Sequence, residues 1–378
     1  MIAKPVLKRT LKLLVILFLL YGFLLSIKLI GSSFQLFGKD FASQLIDSYS
    51  NPVLGLATGI LATSLIQSSS TVTSLIVGLA GGGILPIRAA IPLVMGANMG
   101  TTITNILVAL TFVTRKVDFR RAFAAATVHD FFNILTILLF FPLEIKFHLI
   151  EKSAVFLTGV FKGMGGVSFT SPFKLIINPV ATGLKHLLTD ILSLPDAAAG
   201  TIMLVLAVTV VIVTLVYLVR TLRAVTSAQT ESSVDKYLFS NAFMAISLGM
   251  ILTAIVQSSS ITTSLIVPLV AAGVISLANA YTFTLGANIG TTVTAMLASL
   301  ATVSVADGGG VNTVGVTVAF AHLMFNIYGV IIFLPLKRIP IFLATKLANK
   351  AADSKKWAFI FVISVFFLLP LLAILLIR

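Results

Sequence analysis

The tetrapeptide Gln67-Ser68-Ser69-Ser70 returns as Gln257-Ser258-Ser259-Ser260, 190 residues later in a chain of 378. Runs of serine make poor helix interiors and good helix caps, because each hydroxyl competes for nearby backbone groups. A capped helix start presents unpaired backbone N–H groups and the positive end of the helix dipole, which together favour an anion. The carbonyls that close the preceding segment, around Ser64 and Gln67, favour a cation. Ser68, Ser69, Ser70 and Thr71, brought against Ser258, Ser259 and Ser260, would surround a small tetrahedral oxyanion with hydroxyl and N–H donors.

A second matched pair keeps the same offset: Gly96-Ala97-Asn98-Met99-Gly100-Thr101-Thr102 and Gly286-Ala287-Asn288-Ile289-Gly290-Thr291-Thr292. Asn98 and Asn288 offer amide oxygens, and Thr101, Thr102, Thr291 and Thr292 offer hydroxyls. With Ser64, Gln67 and Gln257 they make neutral oxygen shells of the kind that suit Na⁺. The glycines permit local unwinding, although their i, i+4 spacing also serves close helix packing. A third pair, His129-x-x-x-Asn133 and His322-x-x-x-Asn326, puts Asn one helical turn after His, where interhelical hydrogen bonding is expected.

Proton coupling requires titratable groups inside the membrane. Residues 51–114 and 237–306 contain neither an acid nor a histidine, which favours sodium. The motifs contain no arginine, the usual bidentate reader of phosphate. The anion's charge must then be balanced by co-bound cations and helix dipoles. An intramembrane hydrolase using one of these serines with His129 and Asp130 fits poorly, since a nucleophile has no need of duplication and no nucleophile elbow is present. A continuous channel suits paired closed hairpins less well than alternating access. The Gly-Ala-Asn-Met-Gly block lacks the βαβ unit that nucleotide binding demands. The chain reads as a transporter and not an enzyme, with no organic cofactor and no nucleic-acid partner.

The elements that carry these motifs are membrane segments. Hydrophobic residues make up 58% of the chain and charged residues 10%, with a mean hydropathy of +1.10; soluble domains carry about 25% charged residues. The net charge of +14 sits at the ends of apolar segments, where it reports topology and anionic headgroups. The loop at 115–121 holds Arg115, Lys116, Arg120 and Arg121, whereas its counterpart at 304–312 has no basic residue. After the His helices the bias reverses: Glu144, Lys146, Glu151 and Lys152 face Lys337 and Arg338. Basic loops stay cytoplasmic, so the repeats are expected to be inverted.

The fold expected is an all-α integral membrane protein with two inverted-topology repeats, re-entrant hairpins and broken helices. Its parts are a first span (1–31), repeat 1 (52–143), an external or interfacial connector (144–196), a linking span (197–223), repeat 2 (237–336), a cytoplasmic interfacial helix (339–356) and a last span (357–378). Residues 32–49 are placed on the outer surface. The apolar start is read as a retained span and not a cleaved signal, because no A-x-A cleavage pattern follows it. This topology leaves the C-terminus outside.

The paired Gln-Ser-Ser-Ser elements, the two Gly-Ala-Asn-x-Gly-Thr blocks and the His-x-x-x-Asn pair resemble the type II sodium-dependent phosphate cotransporter family. The resemblance implies inward cotransport of Na⁺ with inorganic phosphate, a site carried by residues 67–71 and 257–261, and a homodimer in the bilayer. Ile261 stands where the first copy has Thr71, so the shell is asymmetric there. The chain departs from animal members in lacking their disulfide-bonded external loop, and it has no cysteine. Many bacterial members carry a soluble C-terminal domain, whereas this sequence reaches Arg378 straight after an apolar run. Its short form points to a bacterial inner membrane. The alternative cargo is another small anion, a dicarboxylate or sulfate.

Overall fold

A computed structural model describes residues 3–37, 51–165, 172–226, 241–273, 275–302, 304–305 and 311–377. Helices are α1 (Ala3–Leu36), α2 (Pro52–Ile66), α3 (Ser69–Gly81), α4 (Ile87–Met99), α5 (Ile103–Leu110), α6 (Lys116–Phe147), α7 (Leu149–Gly165), α8 (Pro172–His186), α9 (Asp196–Thr226), α10 (Ala242–Val256), α11 (Ser259–Ala271), α12 (Leu277–Thr302), α13 (Val314–Phe333), α14 (Arg338–Asp353), α15 (Lys356–Ile363) and α16 (Leu369–Ile377). A one-turn 3₁₀ segment, Gly100–Thr102, joins α4 to α5, and π-turns follow α8 and α15. The described residues add one short antiparallel ladder, β1 (Ser304–Val305) with β2 (Val311–Asn312).

Local chemistry sets the paired half-helices. Asn51 caps α2 by accepting the Val53 N–H at 2.9 Å, and Pro52 supplies a preset φ at the first turn. Asn241, 190 residues on, caps α10 by accepting the Met244 N–H at 2.9 Å. Both helices run 15 residues, about 22 Å, which is short of a bilayer core of about 30 Å. Both end at a glutamine in the left-handed region, Gln67 at φ 59° and Gln257 at φ 55°. Ser68 and Ser258 then restart the chain as N-caps of α3 and α11.

The halves pack by the same rule and across one another. Helix α2 lies on α4 and α10 lies on α12; α3 packs on α12 and α13 of the other half, and α11 packs on α5 and α6. Close approach within each half uses the glycine blocks. A Cβ on Gly96 would sit 2.1 Å from the Leu56 carbonyl oxygen, and one on Gly286 would sit 1.9 Å from that of Ile246. The glycine spacing is therefore a packing device at these positions.

Five helical segments among the described residues are long and apolar enough to cross a membrane: Ile87–Leu110, Lys116–Phe147, Leu277–Thr302, Val314–Phe333 and Lys356–Ile377. Among the described residues the chain is all-helical apart from its short ladder, and its long apolar helices are those of a membrane protein.

Two stretches add detail to the sequence expectation. Helix α1 continues through residues 32–36, which were expected at the surface; residues 38–49 lie outside the described residues. The connector at 144–196 carries α7 and α8, with α7 docked on α13 through Thr158–Thr317 at 3.0 Å and Ser153–Tyr328 at 2.5 Å. Helix α14 mirrors α7 by lying on α6, with Pro340, Ala344, Ala348 and Ala351 buried. At its end, Lys116 pairs with Asp353 at 2.7 Å and holds that carboxyl below the usual carboxylate range.

Candidate functional site

The two tips meet. Ser70 Oγ donates to the Gln257 carbonyl at 3.3 Å, so the restart of one hairpin touches the break of the other. Ser260, the counterpart of Ser70, donates instead to the Thr101 carbonyl at 3.3 Å. Ser69, Ser70, Thr71, Ser259 and Ser260 are all buried, as is Gln257. Ser68 Oγ accepts the Thr71 N–H at 3.2 Å and shares a 2.8 Å hydrogen bond with the Thr71 hydroxyl. Ser258 Oγ accepts the Ile261 N–H at 3.4 Å, and Ile261 has no hydroxyl to return.

The glutamines share a backbone shape but not side-chain partners. Gln67 donates through Nε2 to the Ser64 carbonyl, and its Oε1 accepts from Thr104 Oγ1 at 3.2 Å. Gln257 Oε1 is buried and has no hydrogen-bond partner among the described residues. A left-handed non-glycine residue costs about 1–2 kcal/mol. Both matched positions carry that cost.

Other unpartnered oxygens gather at the same breaks. Thr63 Oγ1, Ser64 Oγ and Thr253 Oγ1 are buried with no partner among the described residues, while the carbonyls of Thr63 and Thr253 accept the amides of Gln67 and Gln257, both at 2.7 Å. Thr63 and Thr253 recur at the same offset of 190, a signal that the motif reading passed over because it began at the glutamine. Buried hydroxyls of this kind are costly unless something fills them.

The glycine–asparagine blocks sit directly behind the tips. A Cβ on Gly100 would lie 2.6 Å from Thr63 Cβ, and one on Gly290 would lie 2.7 Å from Thr253 Cβ. Thr101, Thr291 and Thr292 are buried; Thr101 and Thr291 hydroxyls bond back to the carbonyls of Asn98 at 3.4 Å and Ala287 at 3.0 Å. The backbone of Thr102 is in the 3₁₀ turn and its side chain lies outside the described side chains. Unwinding at the glycines occurs in the first repeat alone, as that 3₁₀ turn; α12 stays continuous through Gly286 and Gly290.

Asn98 and Asn288 are embedded in a polar network that joins the repeats. His322 Nε2 donates to Asn98 Oδ1 at 3.2 Å, and His129 Nε2 donates to Asn288 Oδ1. Each histidine thus serves the asparagine of the other repeat. Asn98 Nδ2 donates to Asn133 Oδ1 at 3.2 Å and to Asn326 Oδ1 at 3.1 Å, and Asn288 Nδ2 donates to Asn133 Oδ1 at 3.0 Å. All six side chains are at most 3% exposed. The amide oxygens of Asn98 and Asn288, read from sequence as cation ligands, therefore each already accept one hydrogen bond and keep one lone pair.

A model of the Na⁺/Pi-cotransporter family matches residues 23–168 and 210–344, and so covers both hairpins and both blocks. The chain belongs to the Na⁺/Pi-cotransporter family. Similar curated proteins are sodium-dependent phosphate transport protein 2B of Pongo abelii and of Homo sapiens, each 33% identical over 95% of this chain and 64% of the relative. Sodium-dependent phosphate transport protein 2A of Rattus norvegicus is 34% identical over 93% of this chain and 65% of the relative. The chain thus spans a little under two thirds of the length of these relatives. No solved structure matches it.

The Na⁺/Pi-cotransporter scaffold places no arginine at the tips. Arg88, near one end of α4, pairs with Glu151 of α7 at 3.2 Å, and its side chain is 70% exposed. Its charge is spent at the protein surface and not in the site. Asn105 of α5 ties into the second hairpin, donating to Thr263 Oγ1 at 2.8 Å; the second repeat has Ala295 at that place, so the duplication gave no hint of it.

Proposed function

We propose that this protein couples sodium entry to the uptake of inorganic phosphate by alternating access. Membership of the Na⁺/Pi-cotransporter family supports the class of cargo. The observation that carries the reading for this chain is the contact between the two matched tips, Ser70 on Gln257. Helices α2–α3 and α10–α11 are then two re-entrant hairpins of opposite orientation, in repeats at 52–143 and 237–336, with their breaks near the bilayer midplane. Irregular backbone is tolerated there because it lines a substrate cavity.

Phosphate is held by Ser68, Ser69, Ser70 and Thr71 from one side and Ser258, Ser259 and Ser260 from the other, against the N-terminal ends of α3 and α11. Sodium is held by Ser64, Gln67, Thr101 and Thr102 at the first tip and by Gln257, Thr291 and Thr292 at the second. Asn98 and Asn288 contribute their remaining lone pairs. The unpartnered hydroxyls of Thr63 and Thr253 join these shells, one per tip. Bound sodium supplies the positive charge that Arg88, paired elsewhere, does not. The same reading places the protein in a bacterial inner membrane as a multi-pass homodimer. Segments 1–31, 197–223 and 357–378 are spans, 144–196 is an external or interfacial connector, and 339–356 is a cytoplasmic interfacial helix.

The test is uptake of radiolabelled phosphate into proteoliposomes under inward Na⁺, K⁺ or H⁺ gradients. Uptake driven by Na⁺ alone and competed by arsenate is expected, with Ser69→Ala and Ser259→Ala each abolishing it. Uptake of succinate or sulfate in place of phosphate would reassign the cargo, and wild-type transport by both variants would remove the tips from the site.

A further inference from the structure

The exchange of hydrogen bonds between the repeats reaches further than helix packing. Asn98 lies three residues before Thr101, whose carbonyl receives Ser260 of the second tip, and two before Gly100, which rests on Thr63 of the first. Asn288 lies two residues before Gly290, which rests on Thr253. Each asparagine is thus one helical turn or less from the backbone that seats a tip. Each is gripped by the histidine of the opposite repeat, through His322–Asn98 at 3.2 Å and through His129–Asn288. Asn133 stands at the centre, because its Oδ1 accepts from both Asn98 and Asn288, at 3.2 and 3.0 Å. Asn326, its counterpart, accepts from Asn98 at 3.1 Å and donates to the His322 carbonyl at 3.0 Å.

We infer that this histidine–asparagine exchange is a clasp that registers the two tips against each other. Asn133 is its hub, and His129, His322 and Asn326 act with it as positioning residues for the sodium shells. A shell assembled from two hairpins forms only when both tips hold a fixed relative position. Helices in lipid gain little from apolar contact with one another, so directional polar contacts are the forces that can fix such a register. The clasp has that directionality, since the bonds given by His129, His322, Asn98 and Asn288 each run from an N–H donor to a side-chain amide oxygen. It also predicts an order: Asn133 touches both halves of the exchange and Asn326 touches one, so loss of Asn133 disturbs both tips and loss of Asn326 chiefly the first. The inference rests on the sodium-coupled reading of the tips.

The experiment is a sodium titration of the purified full chain, with choline replacing sodium at constant ionic strength. It reads the sodium concentration at half-maximal rise of the melting temperature, together with the sodium dependence of phosphate uptake in proteoliposomes. Asn133→Ala is expected to raise both sodium midpoints at least about fivefold, and Asn326→Ala about half as far on a logarithmic scale. His129→Gln, whose amide can still donate to Asn288, is expected to recover most of the midpoint that His129→Ala loses. A merely structural role would lower the melting temperature and leave the midpoints in place; that result for Asn133→Ala, or a His129→Gln no better than His129→Ala, overturns the clasp. Where Asn133→Ala does not fold, the two His129 variants and Asn326→Ala decide the matter. A wild-type chain that sodium neither stabilises nor drives overturns the sodium reading itself, and this inference with it.

Discussion

The first tip is hydrogen-bonded within itself, and the second is left open. In the first, the Gln67 amide is tied to Ser64 and Thr104, and the hydroxyl of Thr71 closes on Ser68. In the second, the Gln257 oxygen has no partner among the described residues, and Ile261 replaces the threonine. The helix behind the first tip breaks into a 3₁₀ turn at Gly100–Thr102, whereas the helix behind the second runs unbroken from Leu277 to Thr302. Duplication copied the backbone trajectory, down to the asparagine caps and the left-handed glutamines. Divergence then acted on side chains whose partners lie in the other half. The amide in front of the continuous helix has an oxygen without a partner among the described residues, and the amide in front of the broken helix has both ends satisfied.

That comparison breaks most readily at the glutamines. Gln257→Leu is expected to cost about 10- to 100-fold in the sodium dependence of uptake, the worth of a hydrogen-bond-strength contact to a charge. Gln67→Leu should cost less in sodium dependence and more in melting temperature, since it strands Thr104. Equal losses on both measures would mean that the tips do not differ in the way their hydrogen bonds do.

Glycine at the same positions separates backbone from side chain. Gln67→Gly and Gln257→Gly each relieve a left-handed residue, worth up to about 1–2 kcal/mol of stability; Gln257→Gly should leave the melting temperature unchanged or higher while uptake falls, and Gln67→Gly, which also strands Thr104, should gain less. A fall in melting temperature with uptake retained would assign the amides to stability alone. Asn105→Ala imports the second repeat's residue into the first. Loss of its bond to Thr263 is expected to cost about 1 kcal/mol in unfolding, with a smaller change in uptake. Smallest of all, Ile261→Thr restores the missing hydroxyl and should shift the phosphate KM by less than about threefold, whereas Thr71→Ile, which removes the 2.8 Å contact to Ser68, should raise it by about fivefold.

The sequence by itself determined the duplication, the helix–break–helix pattern at each tip and the apolar spans. The reason is that these are local matters: Asn51 and Asn241 cap the turns they begin, Ser68 and Ser258 restart helices three residues from the amides they accept, and spans are continuous apolar runs. The glycine blocks were legible as either packing or unwinding, and the structure uses them as packing in both repeats and as unwinding in one. Only the tertiary structure decided where the asparagine oxygens point. His322 reaches Asn98 across 224 residues and Asn288 reaches Asn133 across 155, and no spacing within a helix encodes such a bond. The same holds for the difference between the glutamines. Their neighbours in sequence are nearly the same, and what separates them is that Thr104 reaches the Gln67 oxygen while the Gln257 oxygen has no partner among the described residues.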